Sequence, residues 1–194
     1  RPMTYKSLLT IATSPGGLLA PVSAAAQIAT RMDAHLDALA LGVDRTQVGY
    51  SYVGSGAVLV AAAMERAEEE ARESEAALNA ALGTQLPALR SGVETVVTQL
   101  GALTDVVAAR ARYSDLVVLP LPYGKTRSVA DEAVTEAALF EGMAPVLIVP
   151  ETGMPNSDPK RIVVAWNQSR EALVATRRSM PFLRRADNVQ IVVI

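Results

Sequence analysis

The sequence predicts an α/β protein, a doubly wound parallel sheet followed by the first βαβ unit of a second, similar sheet. Two observations carry this prediction. Apolar, β-branched runs of strand length alternate with longer segments of helical period, the pattern of strands covered by helices on both faces. In addition, "KRIVVAWNQSREALVATRRSMPFLRRADNVQIVVI" repeats the opening "KSLLTIATSPGGLLAPVSAAAQIATRMDAHLDALAL": a basic start, an apolar strand, a polar turn with serine, a helix, then a second apolar strand.

Taken in order, strands are expected at about Ser7–Thr13, Leu36–Val43, Val93–Leu100, Leu116–Leu121 and Val146–Val149. Between the first two, Leu19–Met32 is small and apolar enough for a buried helix. Pro15, Gly16 and Gly17 divide the N-terminal apolar run, which suits strand, turn and helix better than a secretion signal. The segment from Val58 to Gly83 places Met64, Ala67, Ala71, Leu78 and Leu82 at helical spacing. Its acidic run reads as a solvated face, with Glu68 and Arg72 as a favourable i,i+4 pair. "ALTDVVAARARYSD" supplies a third helix with Thr104 as N-cap, and Ser128–Glu141 a fourth. The element order βαβαβαβαβ with right-handed crossovers gives the doubly wound sheet, with ligands expected beyond the carboxyl ends of the strands.

The domain reading is residues 1–150 as one α/β domain, 151–160 as a Pro- and Gly-containing linker, and 161–194 as a partial second domain. Lys6 aligns with Lys160 and Thr13 with Asn167. Because a βαβ fragment cannot cover both faces of its strands, the chain is expected to be a shortened form of a tandem protein or to pack on another chain.

Composition narrows the function. Half of the residues are apolar, and the formal charge is −2 with scattered Lys and Arg, which argues against a nucleic-acid surface. No run is long and apolar enough to span a bilayer. With no cysteine and one histidine, thiolate and multi-histidine metal sites are excluded, and no metal site is expected. The lack of cysteine suits a reducing cytosol, and a cytoplasmic location is expected. His35 lies near Asp37, but as i and i+2 they only share a strand face, and His35 reads as an edge or surface residue. "GYSYVGSG", Gly49 to Gly56, reads as a loop over the carboxyl edge, able to line a pocket with Tyr50 or Tyr52. Trp166 reads as a packing residue.

The order of elements, the basic-strand-polar-turn openings and the ending "APVLIVP" resemble the universal stress protein family, over residues 5–150 as a whole domain and 160–194 as the start of another. The resemblance implies a five-stranded sheet in the order 3-2-1-4-5 and pairing through the last strand, here Pro145–Val149, as a homodimer or pseudo-dimer. Many members bind ATP. In those, an acidic residue follows the first strand, and a G-x-x-G-x9-G-[ST] stretch after the fourth strand turns backbone N–H groups toward the phosphates. In this chain the acidic position falls on Thr13 and, in the second copy, on Asn167. The glycine positions fall on Pro120 and Tyr123, and the final Gly-Ser on Glu132-Ala133. Pro120 and Pro122 lack an N–H, and Asp131 and Glu132 place negative charge at the start of the fourth helix.

The residues left to line a degenerate pocket are Thr13, Ser14, Leu41, Gly124, Lys125, Arg127 and Ser128, with Lys125 and Arg127 reading as solvated loop charges. The expectation is a non-enzymatic binding or regulatory protein of the stress response that has lost the usual ATP site in its first domain. ATP or another adenine nucleotide is expected, if anywhere, in the remainder of the second domain. The rival readings are a hydrolase or nucleotidyltransferase of the wider α/β nucleotide-binding group, and an interaction scaffold that binds no small molecule.

Overall fold

A computed structural model describes residues 4–45, 56–84, 88–124 and 127–194. Its first sheet holds β1 (Ser7–Ala12), β2 (His35–Asp44), β3 (Arg90–Gln99), β4 (Leu116–Pro120) and β5 (Val146–Val149) in the order 3-2-1-4-5, with every pairing parallel. Helices α1 (Leu19–Met32) and α2 (Gly56–Gly83) cover one face, and α3 (Leu103–Ala111) and α4 (Val129–Glu136) cover the other. Both faces are apolar because both are covered. On β1, Leu8 packs toward α1 while Leu9 and Ile11 pack toward α3 and α4. Thr10, the polar residue of this buried run, is satisfied by donating to the Val118 carbonyl at 2.9 Å.

Several boundaries differ from the sequence expectation. β3 begins three residues early, at Arg90, because main-chain pairing with His35–Asp37 continues through "RSG", which is exposed and carries no apolar signal. α3 is capped at Ala102 rather than Thr104, since a 3₁₀ turn over Leu100–Ala102 delivers the chain into the helix two residues sooner. The fourth helix changes at Ala137 into a π-helical turn that runs to Glu141. On α2, Arg72 lies 2.7 Å from Glu69 and 3.9 Å from the expected Glu68, so the i,i+3 pair is the closer one.

Beyond the turn at Gly153, β6 (Arg161–Trp166), α5 (Arg170–Arg178), α6 (Met180–Leu183) and β7 (Asn188–Val193) form a separate two-stranded parallel sheet with its helices. The first strands of the two sheets make similar contacts. The Lys6 carbonyl accepts the His35 N–H at 2.9 Å, and the Lys160 carbonyl accepts the Asn188 N–H at 3.0 Å. Likewise Lys6 pairs with Asp33 and Lys160 with Asp187.

This second unit touches the first at the end of α5, at α6 and at the connector. The Tyr5 hydroxyl donates to the Arg178 carbonyl at 2.6 Å, its ring lies 5.6 Å from that of Phe182, and Asp158 sits 3.5 Å from both Arg31 and Arg185. Burial, and after it the charge of Asp115, pushes the Tyr5 phenol up to about 12, with Arg178 opposing. Its contribution to stability is therefore complete below the ordinary tyrosine value near 10 and is lost as the pH climbs toward about 12. Ultraviolet titration of phenolate is expected to show one of the five tyrosines ionising late and together with loosening of the second unit.

Candidate functional site

The chain runs from β1 outward to β2 and β3, then returns to the other side of β1 for β4 and β5. The switch point thus lies between the carboxyl ends of β1 and β4, where the crossover connections diverge and a crevice opens. Its lining includes Thr13, Ser14, Gly16 and Gly17 after β1, Pro120 at the end of β4, and Arg127 and Asp131 at the start of α4.

The crevice is almost completely filled by the protein itself, and the free volume is about 10 Å³, room for one water at most. Two interactions close it. The Thr13 hydroxyl, on a residue 4% exposed, donates to Asp131 Oδ1 at 2.7 Å and bridges β1 to α4. The other Asp131 oxygen accepts the Ser128 N–H at 2.7 Å and the Ser128 hydroxyl at 3.0 Å, so Ser128 and Asp131 cap α4 reciprocally. A carboxylate does stand at the crevice, supplied by α4 rather than by the residue after β1.

The second closure is Arg127. Its side chain is only 6% exposed and turns inward over Gly17, where an added Cβ would lie 2.9 Å from Nη1 and 3.0 Å from Nη2. Gly17 is also at φ +74, a left-handed conformation in which glycine is unstrained. Nη2 lies 3.7 Å from the Glu151 carboxylate, while the buried Nε has no hydrogen-bond partner among the described residues. The expectation that Arg127 is a solvated loop charge is corrected. The "SPGG" turn offers no side chain beyond Ser14 to fill the crevice, and the guanidinium packs into the space.

The remaining candidates fall in different places. Ser14 lines the crevice, with its hydroxyl donating to the Gly16 carbonyl at 3.4 Å. Gly124 has φ +138 and borders open space, away from the crevice lining. Leu41 is fully buried in the core beneath α3 and α4 and reaches no surface. Lys125 lies outside the described residues, as do Tyr50 and Tyr52. His35 Nε2 and Asp37 Oδ1 do meet, at 3.1 Å, but at the exposed amino edge of the sheet, the opposite end from the crevice. Trp166 is half-buried at the end of β6, and Asn167 is exposed and accepts the Ser169 N–H at 3.1 Å. Asp131 was legible as a helix-start acid. Its bond to Thr13, 118 positions away, had no local signal.

Among the described residues no group of three or more His, Asp or Glu is placed to hold a metal ion, and no helix is long and apolar enough to cross a membrane.

Among solved structures, the chain is similar to a universal stress protein from Archaeoglobus fulgidus, with a TM-score of 0.61 at 14% identity over 96% of this chain and 65% of that one. UspA from Lactobacillus plantarum gives 0.49 at 20% identity over 75% and 98% of the two chains. A universal stress protein in complex with cAMP gives 0.46 at 20% identity over 76% and 98%. No protein-family model matches the sequence, and no curated protein does either. The likeness to the Archaeoglobus fulgidus protein is one of fold, which in this chain is a doubly wound parallel sheet in the order 3-2-1-4-5.

Proposed function

From the premise that the chain has the universal stress protein fold, we propose that it is a non-catalytic regulatory protein of that type, whose first unit serves structure and association rather than ATP binding. The observation that carries this reading is the filled switch-point crevice: Arg127 lies over Gly17, Asp131 is tied to Thr13, and about 10 Å³ is left free. A nucleotide would have to displace a packed guanidinium and approach the Asp131 carboxylate. Like charges 4 Å apart repel by about 1 kcal/mol in water and by several times that where water is partly excluded. Pro120 at the mouth adds no N–H to an anion cradle. The hydrolase reading finds less support, since the carboxylate at the crevice already holds three hydrogen bonds within the protein.

The proposal extends to association. β5 is an edge strand of four residues with Val146, Leu147 and Ile148 partly exposed, and β6 and β7 leave Val163, Ile191 and Val193 more than 60% exposed. We place a homodimer contact along Pro145–Val149, and light scattering of the full chain is expected to give twice the monomer mass; a monomer at working concentration would contradict it.

The nucleotide question is tested by calorimetric titration of the full chain with magnesium ATP. No saturable heat at micromolar concentration is expected. Binding with a micromolar Kd would overturn the reading.

A further inference from the structure

We propose that the groove between α3 and the amino halves of β1, β2 and β3 binds a small organic cation, a protonated amine carrying an apolar or aromatic body. The groove is at the amino end of the sheet, the opposite end from the switch-point crevice, and the proposal does not depend on the reading of that crevice. It exists because α3 ends at Ala111, leaving the starts of β2 and β3 uncovered on this face. Gly92, paired with Asp37 across the strands, adds no side chain to the floor. The resulting volume is about 420 Å³, within the range of small-molecule sites, roughly 300–1,000 Å³.

The chemistry of the walls selects the ligand. Leu9, Leu39 and Ala109 give an apolar floor. Around it stand Asp37, Glu94 and Arg110, so two carboxylates against one guanidinium leave one negative charge. Arg110 is already committed. It donates to Glu94 at 2.9 and 2.5 Å and to the Val106 carbonyl at 2.9 Å. That contact holds the Glu94 carboxyl below the usual range. The nearby cations Lys6 and Arg90 both pair with Asp33, outside the groove.

Among the described residues, Asp37 therefore remains as the carboxylate with no Lys or Arg partner, its side chain meeting His35 Nε2 at 3.1 Å. Its side chain is 56% exposed. The last turn of α3, with Ala109 and Arg110, borders the same groove, and a helix carboxyl end carries partial negative charge. Tyr113, 82% exposed, lines the groove and supplies an aromatic ring, a group that attracts cations. An apolar floor, a negative rim and an exposed aromatic ring together fit an amine with a hydrophobic body, and they disfavour an anion.

The test uses the isotope-labelled full chain and three probes of one shape: phenethylamine, 2-phenylethanol and 3-phenylpropionate. Phenethylamine is expected to shift the amides of Gly92, Glu94 and Tyr113 saturably at millimolar concentration, with the alcohol weaker and the acid silent. Asp37→Asn, an isosteric change at an exposed position, is expected to weaken the amine by about tenfold, and Tyr113→Ala by roughly threefold. Equal responses to all three probes would overturn the proposal, as would no response to the amine, a response centred elsewhere, or unchanged affinity in Asp37→Asn.

Discussion

Replacing Gly42 with alanine is expected to destabilise the protein more than any other single-methyl addition in β2. Gly42 faces α2, and a Cβ built there would lie 2.1 Å from the Ala67 carbonyl oxygen and 2.9 Å from the Ala71 Cβ. The first contact is with backbone, so no side-chain rotation relieves it. Ala67 and Ala71 are themselves 1% and 0% exposed, which makes this a crossing of helix and strand built from three small residues. The helix must retreat from the sheet, and overpacking of this kind costs about 3 kcal/mol. At about 2–4 °C per kcal/mol for a chain of this length, Tm is expected to fall by roughly 6–12 °C. Thermal unfolding followed by circular dichroism checks this, and an unchanged Tm would mean that α2 does not seat on β2 at Gly42.

The second large effect is expected at Asp131. Its carboxylate accepts from the Thr13 hydroxyl and from the Ser128 N–H and hydroxyl, so Asp131→Ala removes an α4 cap and strands a buried hydroxyl just after β1. Loss of a cap costs about 0.5–2 kcal/mol and an unsatisfied buried polar group about 1–3 kcal/mol. The sum expected is about 1.5–5 kcal/mol, read as a lower denaturant midpoint with an unchanged slope. Asp131→Asn keeps one acceptor oxygen and is expected to lose about half as much. Equal loss in the two variants would show that charge, and not hydrogen bonding, closes the crevice.

How far the sequence disclosed this can be argued from particular residues. α1 and β5 are bounded as the pattern predicts, because Pro15-Gly16-Gly17 and Pro145 punctuate strongly apolar segments. β3 is legible only where its side chains pack. Arg90–Gly92 pair through the main chain alone, which leaves no trace in hydropathy. The π turn at Ala137–Glu141 is likewise silent, although Gly142, held 2.7 Å (as a built Cβ) from Ala111, shows how tightly the chain leaves it.

At the crevice, the missing glycines and the prolines were visible, and so was the helix-start acid. The destination of Arg127 was not, because a charged loop residue carries no periodicity and the position it packs over, Gly17, is distant along the chain. Pattern reading registers which groups are lacking. It does not register which group fills the space they leave.

The central claim is that Arg127 occupies the crevice in which a nucleotide would otherwise lie. Its most direct test is the Arg127 Nε–H resonance in nitrogen-edited spectra of the full chain, with and without millimolar magnesium ATP. The account predicts a slowly exchanging proton with Overhauser contacts to Gly17, unchanged by the nucleotide. A rapidly exchanging proton with no contact to Gly17, or its displacement on adding ATP, would contradict it.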